Sequence, residues 1–480
     1  MLRIVVAVFM SCISAAYALG IDVTVNGVKL ELNADGTAKV IPYTNSLNRE
    51  SYYAKEDIVI PDRFTSGGQE YTVVRIGARA FDGVPLKSIR LPETIKYIDE
   101  SAFSRCDVAN GPLILPTSVE TIGESAFSSC KASIPAKVSL PYVKTIGKWA
   151  FDDSEFIDEL ELGAEYSSDN PAVSFRRSKN IKYISVDPEN PNFASCDGIM
   201  YDKELTKLIK YPGVYSDPEL VIPGSVKSIG EYSFSGSNIT KVTLPEHLRA
   251  IYQYAFRDCE NLSAITFGSS LASIGQYAFS HCAALEEVKL PDSLERMDKN
   301  AFADCGSLRS VKIGNSLTSI SVNCFRRCGL EEISIPENIR VIGDFAFGSC
   351  PLKNVILGSS VTNLGIGIFD QCAVIQSITS LASIPPIVKD QKIFNDDAIY
   401  GQCLLYCPKG SYDAYKSTDP WSRFAVEEID NTSVLDVTPD PLDGSEDTIY
   451  NLDGTPEHTP RIGRIYIING TKRVFNINHI

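Results

Sequence analysis

Residues 255–279 read AFRDCENLSAITFGSSLASIGQYAF, and this stretch decides the fold. It begins and ends on Ala-Phe. Between them lie Cys259, Leu262, Ile265 and Phe267, then Ile274-Gly275. Working outward, Ala-Phe followed three residues later by Cys returns at Phe103 and Cys106, Phe127 and Cys130, Phe279 and Cys282, Phe302 and Cys305, and Phe347 and Cys350. Phe325 with Cys328 and Phe369 with Cys372 keep the Phe and Cys behind a different preceding residue. Successive Phe positions from Phe81 to Phe175, and again from Phe234 to Phe369, are 22 to 24 residues apart. A fixed period of this size marks a solenoid in which each unit is one coil. No single unit can bury its own Leu, Ile, Phe and Cys. Stacking supplies a continuous core, and stability becomes a nearest-neighbour sum.

Within each unit two apolar residues flank one polar residue, as in Val288-Lys289-Leu290 and Val311-Lys312-Ile313. This alternation predicts a short strand with one buried face. Pro92, Pro116, Pro141, Pro245, Pro291 and Pro336 follow the strand and end it. The Gly of each Ile-Gly step (Gly77, Gly123, Gly147, Gly230, Gly275 and Gly343) is expected to permit a tight corner or a positive φ. The period falls in the leucine-rich-repeat range of about 20–29 residues. The expected fold class is an α/β-type repeat solenoid, mostly β: a right-handed leucine-rich-repeat coil with short strands stacked in a parallel ladder.

The rest of the chain arranges itself around the repeat. Residues 1–18 read as a secretory signal: Met1-Leu2-Arg3, an apolar run from Ile4 to Met10, and Ala16-Tyr17-Ala18 as a cleavage site. The run is too short to span a bilayer, and no other stretch is long and apolar enough. Residues 19–70 lack the repeat and carry turn signals at Asn26-Gly27 and Asp35-Gly36, as a β-rich N-terminal cap would. The solenoid covers 71–386, with a variant segment at 186–223 read as a variant coil plus hairpins still in the stack. Residues 387–430 form a C-terminal cap with a strand, a turn and a short helix. Residues 431–448 are an acidic linker, and 449–480 a small C-terminal β module.

Thirteen Cys in an exported chain would ordinarily suggest disulfides. Here eight occupy one repeat position, which faces the same way in every coil. They read as small buried residues, with coil-to-coil bridging as the alternative. The formal net charge of −15 argues against nucleic-acid binding, which needs a basic footprint.

The repeat resembles that of the BspA-type leucine-rich-repeat family, Leu-x-x-Ile-x-Ile-Pro followed by Ile-Gly-x-x-Ala-Phe-x-x-Cys. The match runs from about Val73 to Ile384, and Val186 to Pro212 is similar to the family's variant segment. Departures are Ser233-Phe234, Cys324-Phe325 and Ile368-Phe369 for Ala-Phe, and Asp153-Ser154 in the Cys region. The resemblance implies an exported or surface protein that binds extracellular proteins or other cells. Gly463 to Gly470 resembles C-terminal tails of exported proteins of the Bacteroidetes group, some of them sorting signals. Surface association through this tail, or through a lipid on Cys12, is the corresponding expectation.

A few residues of catalytic or metal-ligating type stand in the same register. His281-Cys282 is a conceivable nucleophile pair, and Cys324 with Cys328 a conceivable metal pair, but both Cys positions point into the core. Asp440, Asp443, Glu446 and Asp447 do not follow the calcium-loop spacing. No cofactor motif is present. Two surface columns remain. One stands two residues before the Phe: Trp149, Tyr232, Tyr254, Tyr277 and Phe345. Tyr232, Tyr254 and Tyr277 on successive coils are expected to line up, either as a recognition stripe or as a cover over the core edge. The other is the polar strand position: Arg90, Thr243, Thr266, Lys289, Lys312 and Ser334, with Lys241 nearby. It reads as a modest basic patch or as a solvated strand face. Together these expectations describe a non-catalytic protein whose partner is an extracellular protein or glycan. Alternatives are a structural surface-layer component and an accessory to extracellular glycan degradation.

Overall fold

The structure is a computed structural model. It describes residues 21–43, 53–54, 56–214, 219–394, 396–429, 449–450, 465–468 and 471–474. The signal segment, Cys12, the 431–448 linker and most of the tail lie outside the described residues. The chain divides into two compact units, Met1–Pro218 with Ser225–Ile239, and Glu219–Gly224 with Thr240–Ile480. Each is a mostly β solenoid built from short parallel strands.

The first unit opens with an antiparallel meander, Ile21–Val25, Val28–Leu32 and Thr37–Val40. Asn26 and Gly27 take φ of 50° and 79°, the pair of positive angles that a two-residue hairpin turn requires. The third strand pairs in parallel with Gln69–Ile76, which begins a ladder through Tyr97–Ile98, Thr121–Ile122 and Thr145–Ile146. A second parallel ladder joins Ala136–Leu140, Ile157–Leu162 and Tyr183–Val186. In the variant segment Phe193–Cys196 and Ile199–Asp202 form a hairpin around Asp197-Gly198. Lys207–Lys210 pairs antiparallel with the second of these strands and in parallel with Ser228–Ile229. The two compact units divide at the end of this segment, with Glu219–Gly224 in the second and Ser225–Ile239 in the first.

In the second unit the strand face runs through Glu219–Val221, Lys241–Thr243 and Ala264–Thr266, through Glu287–Lys289 and Ser310–Lys312, and from Glu332–Ile335 to Ala425–Ile429. The Ile-Gly side gives another set of ladders, Ala250–Ile251 to Arg296–Met297 and Ser319–Ile320 to Ile387–Val388. Leu404–Pro408 and Tyr412–Lys416 supply the strand and short helix expected after the repeat.

Phe rings form the axis of both cores. Rings from Phe81 to Phe175 stack with centroids 5.0–5.3 Å apart, and those from Phe256 to Phe369 at 5.0–6.2 Å. All are buried. Offset stacking adds about 0.5–1.5 kcal/mol per pair to the burial of apolar area. Each stack ends on an aromatic that the repeat does not supply. Tyr53 lies 4.9 Å from Phe81, and its hydroxyl donates to the Ile41 carbonyl and accepts from the Lys29 N–H. Phe394 follows Phe369 and meets Tyr400 and Phe424.

All twelve Cys among the described residues are free thiols, and the eight ladder Cys are buried. They do more than fill space. Cys282, Cys305, Cys328, Cys350 and Cys372 each donate S–H to the Phe carbonyl of the preceding coil, at 3.1–3.3 Å. Ser154 and Ser178 hold the same slot and donate to Phe127 and Phe151 at 2.6 Å. The slot therefore favours a small donor, which gives a buried carbonyl a second bond where it already accepts one from its own coil, as Phe279 does from the Cys282 N–H at 3.3 Å. Burial pushes the Cys372 thiol up to about 12, so it stays protonated and able to donate.

The expectation of positive φ at the Ile-Gly glycines is not met. None takes a positive φ, and the reason for Gly is proximity instead. A Cβ on Gly275 would sit 2.5 Å from the backbone N of Gln253 in the coil before. A second glycine column, unnoticed in the sequence, follows the strand. A Cβ on Gly268 would fall 2.1 Å from the Pro245 carbonyl oxygen, and one on Gly314 2.2 Å from that of Pro291. From Pro245 to Gly358 this slot alternates Pro and Gly (Pro245, Gly268, Pro291, Gly314, Pro336, Gly358). A Pro carbonyl from one coil occupies the space that the next coil leaves empty.

Candidate functional site: two surface columns

The column two residues before the Phe is fixed by its backbone. Trp149, Tyr232, Tyr254, Tyr277 and Phe345 all take φ of 54–59°. The residues two after the Phe, among them Asp258, His281, Asp304 and Arg327, are left-handed as well. This alternation turns every second N–H toward the next coil. Tyr277, Phe279 and His281 donate to the carbonyls of Lys299, Ala301 and Ala303. The positive φ thus belongs to side-chain-bearing residues, each held there by coil-to-coil bonds.

Tyr254 and Tyr277 stack at 5.3 Å with planes 7° apart, and the Arg257 guanidinium lies 5.7 Å from each ring. Tyr232, in the first unit, lies 5.8 Å from the guanidinium of Arg176. Arg176 grips the buried Asp152 carboxylate through two bonds of 2.9 and 2.6 Å. Within the Tyr254–Tyr277 pair, each ring turns one face to the other, and the side chains are only half exposed. Stacking on a flat ligand needs an open ring face, so this column favours the role of cover over the core edge.

The strand column is different. Lys289 and Lys312 are direct cross-strand partners, and both are exposed. Lys289 pairs with Glu287 on its own strand at 3.1 Å, while Lys312 has no ion pair among the described residues. Lys241 does not join them. Its register partner is Ala264, and Thr243 with Thr266 carries the outward column that Lys289 continues. Arg90 sits in the first unit opposite Val59. Ser334 is followed in register by Ile356, Thr379 and Tyr406.

The chemical candidates separate. Cys282 is buried and bonded to the Phe256 carbonyl, while His281 points outward, its Nδ1 2.8 Å from Ser280 Oγ and its Nε2 3.8 Å from Asp304. Ser280, His281 and Asp304 have the residue types of a nucleophile relay. Ser280 is fully buried, so no substrate reaches its hydroxyl. Among the described residues no group of three His, Cys, Asp or Glu is placed to hold a metal, and no helix is long and apolar enough to cross a membrane.

Two polar patterns escaped the sequence reading. Thr94, Ser118 and Ser293 donate to the carbonyls of Val73, Ile95 and Leu271 in the coil before. Their signal was a hydroxyl residue two after Pro92, Pro116 and Pro291. The other is the acidic run from Asp152 to Glu165. Lys131, Lys137 and Lys144 answer Glu155, Glu161 and Glu165 from one side, and Arg176 and Lys182 answer Asp152 and Asp158 from the other. The run is a charged coil between basic neighbours, and its exposed pairs contribute about 0–1 kcal/mol each.

The model of the BspA type leucine rich repeat region matches six copies over residues 63–182, 216–331 and 318–395, more than half of the chain. The chain belongs to the BspA-type leucine-rich-repeat family. Its fold is similar to that of the pneumococcal vaccine antigen PcpA, at TM-score 0.50 and 20% identity, over 86% of this chain and 99% of that one. A leucine-rich-repeat protein from Bacteroides ovatus matches at TM-score 0.47 and 21% identity, covering 85% of this chain and 100% of its own. A leucine rich cell surface protein from Faecalibacterium prausnitzii gives 0.42 and 21%, over 75% and 95%. Comparison with curated proteins finds no match.

Proposed function

We propose that this chain is an exported, surface-associated member of the BspA-type family that binds an extracellular protein without catalysis. One observation carries the reading. In the second unit the buried columns repeat the same chemistry from coil to coil, while the outward strand column changes at almost every step: Thr266, Lys289, Lys312, Ser334, Ile356, Thr379, Tyr406. A rigid ladder with varied side chains suits multivalent contact, in which many modest interactions are pre-organised on one face. The 1–18 signal would deliver the chain, and the 449–480 tail would sort or attach it in a bacterium of the Bacteroidetes group. Such an origin is in keeping with the resemblance of that tail. The strand face is the binding face in this account, and the Tyr column is scaffold.

A pull-down of the mature chain against extracellular-matrix proteins and glycans tests the proposal. Saturable capture of a protein supports it. Turnover of a substrate with no saturable binding would sink it, and concentration-dependent self-assembly without capture would favour a surface-layer role.

A further inference from the structure

Lys289 and Lys312 place two like charges directly opposite each other on adjacent strands about 4.8 Å apart, an arrangement that costs stability. Two of the neighbouring acids leave Lys312 unmatched. Glu331 is held by Lys353 at 2.7 Å, on the coil beyond, and that bond keeps its carboxyl below the ordinary range. Glu287 serves Lys289 alone, leaving Lys312 without a counter-charge among the described residues. Resting on the reading of the strand face as the binding face, we infer that the Lys289–Lys312 pair takes a carboxylate from an extended peptide segment of the partner, and that Glu287 takes a cation two residues away on the same segment.

The geometry supports a peptide over a polyanionic glycan. Glu287 and Lys289 point outward from the same strand two residues apart, so their backbones stand about 6.7 Å from each other. Same-face side chains of an extended peptide repeat at that same spacing. A peptide running along the strands with an acidic and a basic residue at i and i+2 therefore meets a cationic column and an anionic site in step. A glycan carrying a negative group on every sugar would meet Glu286 and Glu287 as well, on a chain of net charge −15. Mixed charge on the face calls for mixed charge in the ligand.

The test is fluorescence polarisation with the mature full chain at low ionic strength. The probes are a Thr/Ser/Val-rich host peptide bearing Arg-x-Glu, its Arg-x-Gln and Gln-x-Glu counterparts, and a sulfated oligosaccharide. The Arg-x-Glu peptide is expected to bind most tightly, and Lys312→Glu to weaken it at least about tenfold, because a like charge then faces the carboxylate. If Lys312→Glu lowers the melting temperature, Lys312→Gln carries the comparison. Equal binding of Arg-x-Glu and Arg-x-Gln overturns the inference, as does an unchanged affinity in the Lys312 variants. Lys312-dependent binding of the oligosaccharide alone overturns it also. If a protein captured in the pull-down keeps its affinity for Lys312→Glu, this inference fails and the binding function stands. No capture at all fails both.

Discussion

Within the second unit, the Phe turn and the strand face belong to the same coils and obey opposite rules. At the Phe turn every position is claimed by a neighbour. The ring stacks on the next ring, the Cys thiol bonds the previous Phe carbonyl, and alternate N–H groups cross to the next coil. Even the aromatic residues at its surface, Tyr254 and Tyr277, spend a ring face on each other. On the strand face the ladder claims the backbone, and the outward side chains change from coil to coil. Chemistry that repeats holds the solenoid together, and chemistry that varies is available to a partner.

That contrast can be broken at its strong end first. Phe302→Ala empties a space between rings at 5.0 and 5.6 Å and is expected to cost about 3–5 kcal/mol in chemical denaturation. A loss confined to a few tenths would mean the coils do not share a core. Gly314→Ala drives a Cβ to 2.2 Å from the Pro291 carbonyl and should cost about 1–3 kcal/mol. The same change at Gly306, whose Cβ would meet nothing within 4 Å, should be close to neutral. Cys305→Val removes one of two donors to the Phe279 carbonyl, which keeps the Cys282 N–H, and is expected to lose about 0.5–1.5 kcal/mol. Cys305→Ser should lose less, since Ser154 and Ser178 already make the equivalent bond.

Surface charge gives a smaller and pH-dependent effect. Bonds from Ser139 and Lys137 hold the Glu161 carboxyl below its ordinary value of 4.5. A lowered native value means the contribution is present above about pH 4.5 and is lost as pH falls through the native value. A melting temperature that falls from pH 5 to pH 3, and falls less for Glu161→Gln, checks the sign. At the weak end, Lys312→Ala should leave stability within about 0.5 kcal/mol. A large loss there would erase the distinction between the two faces.

The sequence made the Phe-Cys register legible because periodic burial leaves a periodic trace. Nine of the thirteen Cys, the eight of the ladder and Cys324, could be placed in one argument, and the strand column followed from the same register. Three things were not legible. The role of Gly275 depends on where the backbone of the previous coil runs, which no local pattern encodes. The positive φ of Tyr254 and Tyr277 comes from coil-to-coil hydrogen bonds that outweigh the preference of an aromatic residue for negative φ. Lys241 looked adjacent to Lys289 and Lys312 by residue type, but a two-residue offset puts it in the other outward column. The candidate residues were therefore visible as a set, and register shows which of them share an outward column.

The most direct measurement is a binding titration of the captured extracellular protein against two double variants, Lys289→Glu with Lys312→Glu and Tyr254→Ser with Tyr277→Ser, alongside their melting curves. The account predicts that the lysine variant melts like the parent chain and binds at least about tenfold more weakly. The tyrosine variant should melt lower and, where folded, bind with the parent affinity. A lysine variant that binds normally, paired with a tyrosine variant that is stable and does not bind, would contradict it.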